Sequence, residues 1–173
     1  MPHIYARIII LKAFFMKEIN PKKYSNFEEF SKDSCNLTEY IRNNTDGLSN
    51  SEKIAYARQV FNPSVLNSYI VIGFISEDIR KLLNCTKCEL KFSIDNMIKN
   101  RLSHPEVEDN DYAKIPLIVK SPSKYYKSKT GYDVILFKAD KKYYKLVIKT
   151  TKNRKENFVK SLHLLNFDRY CKY

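Results

Sequence analysis

Glycine is scarce in this chain and tryptophan is absent. The 173 residues include only 3 glycines and no tryptophan. Phosphate-binding loops of the GxGxxG and GxxxxGK[ST] types need closely spaced glycines, and neither pattern occurs. This scarcity argues against dinucleotide-binding folds and P-loop nucleotidases.

The N-terminal segment Ile4–Phe15 is apolar but too short to cross a bilayer, since a spanning helix needs about 20 residues. Arg7 and Lys12 interrupt it, and it lacks the basic start and the small-residue cleavage site of a signal peptide. We therefore expect a buried strand or the start of a core helix there. We also expect no membrane association and, by default, a cytoplasmic location.

The positive charge of the chain is concentrated in its C-terminal third. Residues 114–173 contain 16 Lys and Arg against 4 Asp and Glu, which accounts for the whole formal net charge of +12. Clustered positive charge favours a polyanionic partner, most often a nucleic acid. The alternative is a solvated lysine surface that only aids solubility.

Cys85 and Cys88 form a CxxC pair, the spacing of half a zinc site or of a redox pair. A structural zinc site needs four ligands, and neither a second CxxC nor an HxxxH follows. We therefore expect unpaired thiols in a loop, with no metal and no cofactor.

Residues 1–65 are predicted to form a mostly helical N-terminal part. Asn26 and Ser51 precede helical patterns and are suitable N-caps. Residues 43–47 read as a turn between the two helices, and Asn62-Pro63 reads as a break. This part either packs on the same core as residues 66–173 or forms a separate unit.

Residues 66–173 are predicted to be an α+β domain, with a small antiparallel sheet of about four strands covered by helices on one face. A helix carrying Met97 and Ile98, which ends before His104-Pro105, would supply the cover, and another helix is predicted to start at Ser76. The strands are predicted from short β-branched or alternating runs at residues 68–74, 132–138, 143–150 and 158–165.

The last two of these strands alternate strictly between apolar and polar residues. Leu146 and Ile148 share one face with Leu162 and Leu164, and we expect Ile135 and Phe137 to extend that core layer. The opposite face then carries Lys145, Val147 and Lys149, with Ser161 and His163 beside them. Side chains of these polar types are suited to phosphate.

Four residues supply the groups that metal-free RNA cleavage requires. Histidine suits the acid and base roles because its reference pKa of about 6.5 is close to neutral, and lysine can stabilise the charged phosphorane. The candidates are His104, His163, Lys149 and Ser161. The alternative reading is that His104 caps a helix end, that His163 is an exposed strand residue, and that the lysines are solvated.

From about Tyr69 to Leu165 the chain resembles the phage-type nucleases of the barnase–EndoU–colicin–RelE group, which includes bacterial ribonuclease toxins. The similar elements occur in the same order: His104-Pro105 after a helix, Ile115-Pro116, Lys149-Thr150 at a strand end, and Ser161-Leu162-His163 in the following strand. The resemblance implies a small α+β fold and metal-independent RNA cleavage by a toxin or a phage-derived effector, which can be delivered into a target cell.

The resemblance also implies roles. His104 would act as general acid or base, Lys149 would steady the phosphorane, and Ser161 and His163 would position the phosphate or share proton transfer. RNA contacts are expected from Lys99, Arg101, Lys145, Thr150 and Arg154. The expected partners are RNA and an acidic antitoxin or immunity protein. The alternative is a non-catalytic nucleic-acid-binding module that uses the same basic face.

Overall fold

A computed structural model describes residues 20–173 of the chain. The apolar segment Ile4–Phe15, predicted to be a buried strand or the start of a core helix, lies outside the described residues, as does His3. No helix within residues 20–173 is long and apolar enough to cross a membrane.

The described chain divides into two compact units. Unit 1 contains residues 20–69 and Ser93–Ser103, and unit 2 contains Ile70–Phe92 and His104–Tyr173. The sequence predicts one boundary near residue 65, whereas unit 1 also includes the later segment Ser93–Ser103. The chain therefore enters unit 2, returns to unit 1 and enters unit 2 again.

Unit 1 is mostly helical. It contains strand β1 (Lys23–Tyr24) and the helices α1 (Phe27–Asn44), α2 (Asn50–Val60), α3 (Pro63–Leu66) and α5 (Ile94–Ser103). The Asn26 side chain caps α1, as predicted, by accepting a hydrogen bond from the Glu29 amide. Helix α2 begins two residues earlier than expected, because Ser49 rather than Ser51 caps it, in a capping box with Glu52.

Helix α5 packs against α1, α2 and α3. Its apolar face, with Ile94, Met97 and Ile98, is buried in unit 1 together with Phe30 and Ile41 of α1. This helix, which was predicted to cover the strands of the C-terminal part, belongs to unit 1.

The fold is α+β, but the prediction of a small antiparallel sheet of about four strands is wrong. The described strands form one seven-stranded mixed sheet in the order β1-β2-β3-β7-β6-β5-β4. The other strands are β2 (Tyr69–Phe74), β3 (Glu89–Ser93), β4 (Lys124–Lys127), β5 (Asp133–Ala139), β6 (Tyr143–Thr150) and β7 (Asn157–Leu165). The sheet is mixed because β7 pairs in parallel with β3 and antiparallel with β6.

The strands β5, β6 and β7 have two distinct faces. Val134 and Leu136 of β5, Leu146 and Ile148 of β6, and Leu162 of β7 are fully buried on one face, which we call the core face. Residues Lys145, Val147 and Lys149 lie on the other, open face of β6, as the alternation predicted. The register places Lys145 opposite His163 and Val147 opposite Ser161 on that open face.

A β-bulge interrupts the pairing of β6 with β7. Val147 pairs with Ser161 and Ile148 pairs with Val159, so Lys160 is the extra residue. The bulge allows both Val159 and Leu162 to stay buried on the core face although they lie three residues apart.

Ile135 and Phe137 do not extend the core face, contrary to prediction. They pair with Val147 and Lys145, which places them on the open face. Phe137 is nevertheless fully buried, because Tyr126, Tyr170 and Tyr173 pack around its ring.

The remaining helices of unit 2 are α4 (Glu77–Leu83), α6 (Asp109–Tyr112), α7 (Ile115–Lys120) and α8 (Phe167–Cys171). Helix α4 packs against β5, and α7 packs against β5 and β6. Ser76 caps α4, as predicted. Helix α8 lies over the open face, where Phe167 and Tyr170 contact Tyr143.

The side chain of Asp111 connects helix α6 to the start of strand β6. Asp111 is 2 % exposed and accepts hydrogen bonds from Lys142 Nζ (2.9 Å) and from the Tyr144 hydroxyl (3.0 Å). Burial opposes ionisation of Asp111, but the hydrogen bonds from Lys142, the Glu108 amide and Tyr144 hold its pKa below the usual range. The carboxylate therefore stays charged and satisfied.

Candidate functional site

His104 and His163 lie against each other in unit 2. His104 directly follows the end of α5 in the chain and precedes Pro105, while His163 is in the second half of β7. The two imidazole rings meet edge to face with their centroids 4.0 Å apart. Two of the predicted catalytic residues are thus brought together from distant parts of the sequence.

Each ring has one polar neighbour. His163 Nε2 lies 2.9 Å from Ser161 Oγ, within hydrogen-bonding distance. His104 Nδ1 lies 3.4 Å from Glu106 Oε1, which places a carboxylate beside this ring. If His163 carries its proton on Nε2 and donates it to Ser161, the Nδ1 lone pair is left to accept a proton.

The surroundings of His163 favour its neutral form. Burial lowers its pKa to about 4, and the positive charges of His104, Lys145 and Arg169 act in the same direction, while Glu106 opposes them. His163 is therefore uncharged near neutral pH. A phosphate bound beside it would restore part of its basicity, because an anion favours the protonated ring.

Lys145 is the lysine that faces the histidine pair. It lies directly across from His163 in the β6–β7 register. Its ammonium group donates to the Tyr173 hydroxyl at 3.4 Å and lies 4.8 Å from the centre of the Tyr173 ring. Lys145, predicted as an RNA contact, is therefore closer to His163 in the register than Lys149, which was predicted to stabilise the phosphorane.

Lys149 is on the same open face but farther along β6. Lys149 is four positions after Lys145, which corresponds to about 13 Å along the strand at about 3.3 Å per residue. In the register it is opposite Asp133 of β5 and Phe158 of β7. The structure therefore does not place Lys149 beside the histidines.

Thr150 and Arg154 have structural contacts. Thr150 is fully buried and its hydroxyl donates to the Glu156 carbonyl at 3.2 Å. Arg154 has a positive φ of 60° and donates from Nη1 to the carbonyls of Leu83 (2.6 Å) and Gly131 (3.1 Å). Its guanidinium lies 4.2 Å from the Tyr132 ring centre. The RNA contacts predicted for Thr150 and Arg154 stay predictions.

Lys99 and Arg101 belong to unit 1. The Arg101 guanidinium donates to Ser31 Oγ at 2.8 Å and to Ser34 Oγ at 3.3 Å, and both serines are buried. Arg101 thus connects α5 to α1. Lys99 is partly exposed on the same helix.

Three residues near the histidines were missed from the sequence. Glu106 was not among the predicted site residues, although it lies two positions after His104 in the sequence. Arg169 and Tyr173 lie beyond the last predicted strand, in the segment FDRYCKY. Alternation of aromatic and basic residues in that segment was the signal that could have identified them.

Cys85 and Cys88 differ in their surroundings. Cys85 is buried, which raises the pKa of its thiol, whereas Cys88 is exposed. Within residues 20–173 no group of three or more His, Cys, Asp and Glu side chains is arranged to hold a metal ion.

Together, His104, His163, Ser161, Lys145 and Glu106 form a partly exposed group that we call the histidine site. It offers two imidazoles for proton transfer, a hydroxyl that fixes one of them, and an ammonium group for an anion. Comparisons with protein-family models, with curated proteins and with solved structures each gave no match.

Proposed function

We propose that the protein is an endoribonuclease that cleaves RNA without a metal ion, by attack of the 2′-hydroxyl on the adjacent phosphorus. The observation that carries this proposal is the contact between His104 and His163, with Lys145 directly across from His163. Two imidazoles and one ammonium group beside each other match the needs of this reaction. The positive charge of the C-terminal third supports a polyanionic substrate.

In this reaction, neutral His163 accepts the proton of the 2′-hydroxyl. The 2′-oxygen then forms a bond to phosphorus, while the bond from phosphorus to the 5′-oxygen breaks. Protonated His104 gives its proton to the departing 5′-oxygen, and Lys145 donates a hydrogen bond to the charged phosphoryl oxygens. The products are a 2′,3′-cyclic phosphate and a 5′-hydroxyl.

The environment of the two rings supports this division of roles. His163 is held neutral by burial and by neighbouring positive charge, as a base must be before the reaction. Glu106 beside His104 Nδ1 can accept a hydrogen bond from that nitrogen and orient the ring. Such activity fits a toxin or a phage-derived effector with an acidic antitoxin or immunity protein as its inhibitor, since acidic inhibitors complement basic enzymes.

The test is incubation of the purified chain with total RNA and with an unstructured oligonucleotide in EDTA. His104→Ala and His163→Ala, purified in parallel, control for a contaminating ribonuclease. We expect each change to lower the cleavage rate by about two to four orders of magnitude. The product ends should be 2′,3′-cyclic phosphate and 5′-hydroxyl.

A binding module is the competing function, and the same assay separates it. If the wild type binds RNA in a salt-dependent manner but leaves it intact, the protein is a binding module and not a ribonuclease. Cleavage that persists in both histidine variants would contradict the assigned roles.

A further inference from the structure

Three aromatic rings are stacked on the open face of unit 2. Tyr126 of β4 and Phe137 of β5 are stacked with centroids 5.8 Å apart, and Phe137 and Tyr173 are stacked at 4.8 Å. Phe137 is buried between its neighbours, whereas Tyr126 is 38 % and Tyr173 is 47 % exposed. We call these three residues the aromatic stack. Both outer members of the aromatic stack are partly exposed residues.

Lysines lie on both sides of the aromatic stack. Lys124 Nζ is 5.4 Å from the centre of the Phe137 ring and 4.3 Å from that of Tyr170. On the other side, Lys145 Nζ is 4.8 Å from the centre of the Tyr173 ring. The register places both lysines opposite Phe137, one on each neighbouring strand. Positive charge thus flanks the exposed rings.

The aromatic stack continues to the histidine site through Lys145. This side chain contacts Tyr173 and also lies across from His163. A polymer with alternating anionic and flat aromatic groups could therefore place a phosphate at Lys145 and an adjacent ring against Tyr173. Single-stranded nucleic acid has that pattern, and proteins bind it by combining base stacking with a positively charged track.

We propose that the aromatic stack is a binding site for unpaired bases, so that the substrate class is single-stranded RNA. This inference rests on the proposed function for the choice of RNA over other polyanions. A duplex cannot use the site in the same way, because its bases are already stacked on each other. Tyr126 and Tyr173 are the residues that contact bases, and Lys124 and Lys145 contact the flanking phosphates.

The experiment measures affinity by fluorescence anisotropy, with a labelled 2′-O-methyl RNA oligonucleotide as the probe. The probe lacks the nucleophilic 2′-hydroxyl and therefore cannot be cleaved by the proposed reaction. Binding is thus measured whether or not the chain cleaves RNA. We compare it with the same oligonucleotide annealed to its complement, at one fixed salt concentration. Tyr126→Ala and Tyr173→Ala should each weaken binding of the single strand by about 5- to 100-fold. Binding of the duplex should change by less than about twofold.

Tyr125→Ala is the matched control. Tyr125 is the neighbour of Tyr126 on β4, is 40 % exposed, and lies on the other face of the strand, opposite Leu136. The Tyr125→Ala substitution should leave the affinities for the single strand and for the duplex unchanged. Tyr173→Phe should retain most of the affinity, because it keeps the ring. Thermal melting verifies that each variant is folded.

Several outcomes would overturn the inference. These are no binding of the single strand by the wild type, unchanged binding in both tyrosine variants, equal weakening of single strand and duplex, and an equal effect of Tyr125→Ala. Tighter binding by Tyr173→Ala would also overturn it, and would show that the C-terminal residue obstructs the site. Loss of RNA cleavage with an intact single-strand effect would remove the proposed reaction but keep this site.

Discussion

The His104 imidazole packs edge to face on the His163 imidazole, with 4.0 Å between the ring centroids. A pair of histidines this close cannot both be charged without mutual repulsion, and the low pKa of His163 expresses that constraint together with its burial. Because the rings are in contact, a positive charge on His104 disfavours protonation of His163.

Protonation of His163 should destabilise the fold. Because its pKa is lowered from 6.5 to about 4, the unfolded chain binds this proton more readily than the folded chain does. Its contribution to stability is present above about pH 6.5 and is lost as the pH falls to about 4. The loss is about 1–2 kcal/mol, since water screens a partly exposed ring. Urea unfolding of the wild type and of His163→Gln between pH 4 and 7 measures it.

The difference between the two proteins removes the titration of groups that do not interact with His163, because those groups titrate equally in both. A constant difference across this pH range would contradict the lowered pKa of His163.

Lys145 should matter more than Lys149 for RNA cleavage. Lys145 faces His163, whereas Lys149 lies about 13 Å farther along the strand, beyond the screening length of about 8 Å at physiological salt. Lys145→Met should lower kcat by about 10- to 1,000-fold, and Lys149→Met by less than about threefold. Steady-state cleavage of one oligonucleotide at fixed salt gives both values. If the two substitutions lower kcat equally, Lys149 has the phosphorane-stabilising role predicted from the sequence.

Asp111→Asn should destabilise the protein by about 1–3 kcal/mol, because the buried carboxylate loses the charge that Lys142 and Tyr144 satisfy. Asp140→Asn is the matched control: its ion pair with Lys114 is exposed and long, at 3.4 Å, and should contribute less than about 0.5 kcal/mol. Urea denaturation at pH 7 compares them. Since the pKa of Asp111 is lowered, the effect of Asp111→Asn should shrink as the pH falls below about 4.

Arg101 should act in stability rather than in RNA binding. Arg101→Met removes two hydrogen bonds to buried serines of α1 and should cost about 1–3 kcal/mol, measured by urea denaturation. Lys99→Met, on the same helix, should cost less than about 0.5 kcal/mol. Weaker RNA binding by Arg101→Met at unchanged stability would instead support the role expected from the sequence.

The two cysteines of the CxxC pair should react with thiol reagents at different rates. Cys88 is exposed, whereas burial raises the pKa of Cys85 and so reduces its thiolate fraction. Alkylation followed by peptide mass spectrometry should label Cys88 at least about tenfold faster. In urea the two rates should converge, and a difference that persists there would arise from local sequence instead of burial.

Local patterns predicted much of the fold. The strand Tyr143–Thr150 has the predicted bounds, and Asn26 and Ser76 cap helices as expected. These features depend on alternation and on capping side chains, which involve near neighbours in the chain. The choice of His104 and His163 as candidate catalytic residues was a hypothesis from residue types, and their contact could only come from the structure.

The errors occur where local patterns are ambiguous or where distant segments meet. In β5 the run Val134–Phe137 is apolar at every position, so alternation could not tell which face is the core. Phe137 is buried on the open face only because residues from α8 and the C-terminus cover it. The parallel pairing of β3 with β7 likewise joins segments far apart in sequence and leaves no local signal.

The position of β7 between β3 and β6 constrains when the protein can fold during its synthesis. This strand is the last of the sheet in chain order, yet it lies in the interior of the sheet and carries His163. A growing chain therefore lacks a central strand of this sheet until β7 has been made. The histidine site can form only after translation has delivered β7, so a prematurely terminated chain would lack the site altogether.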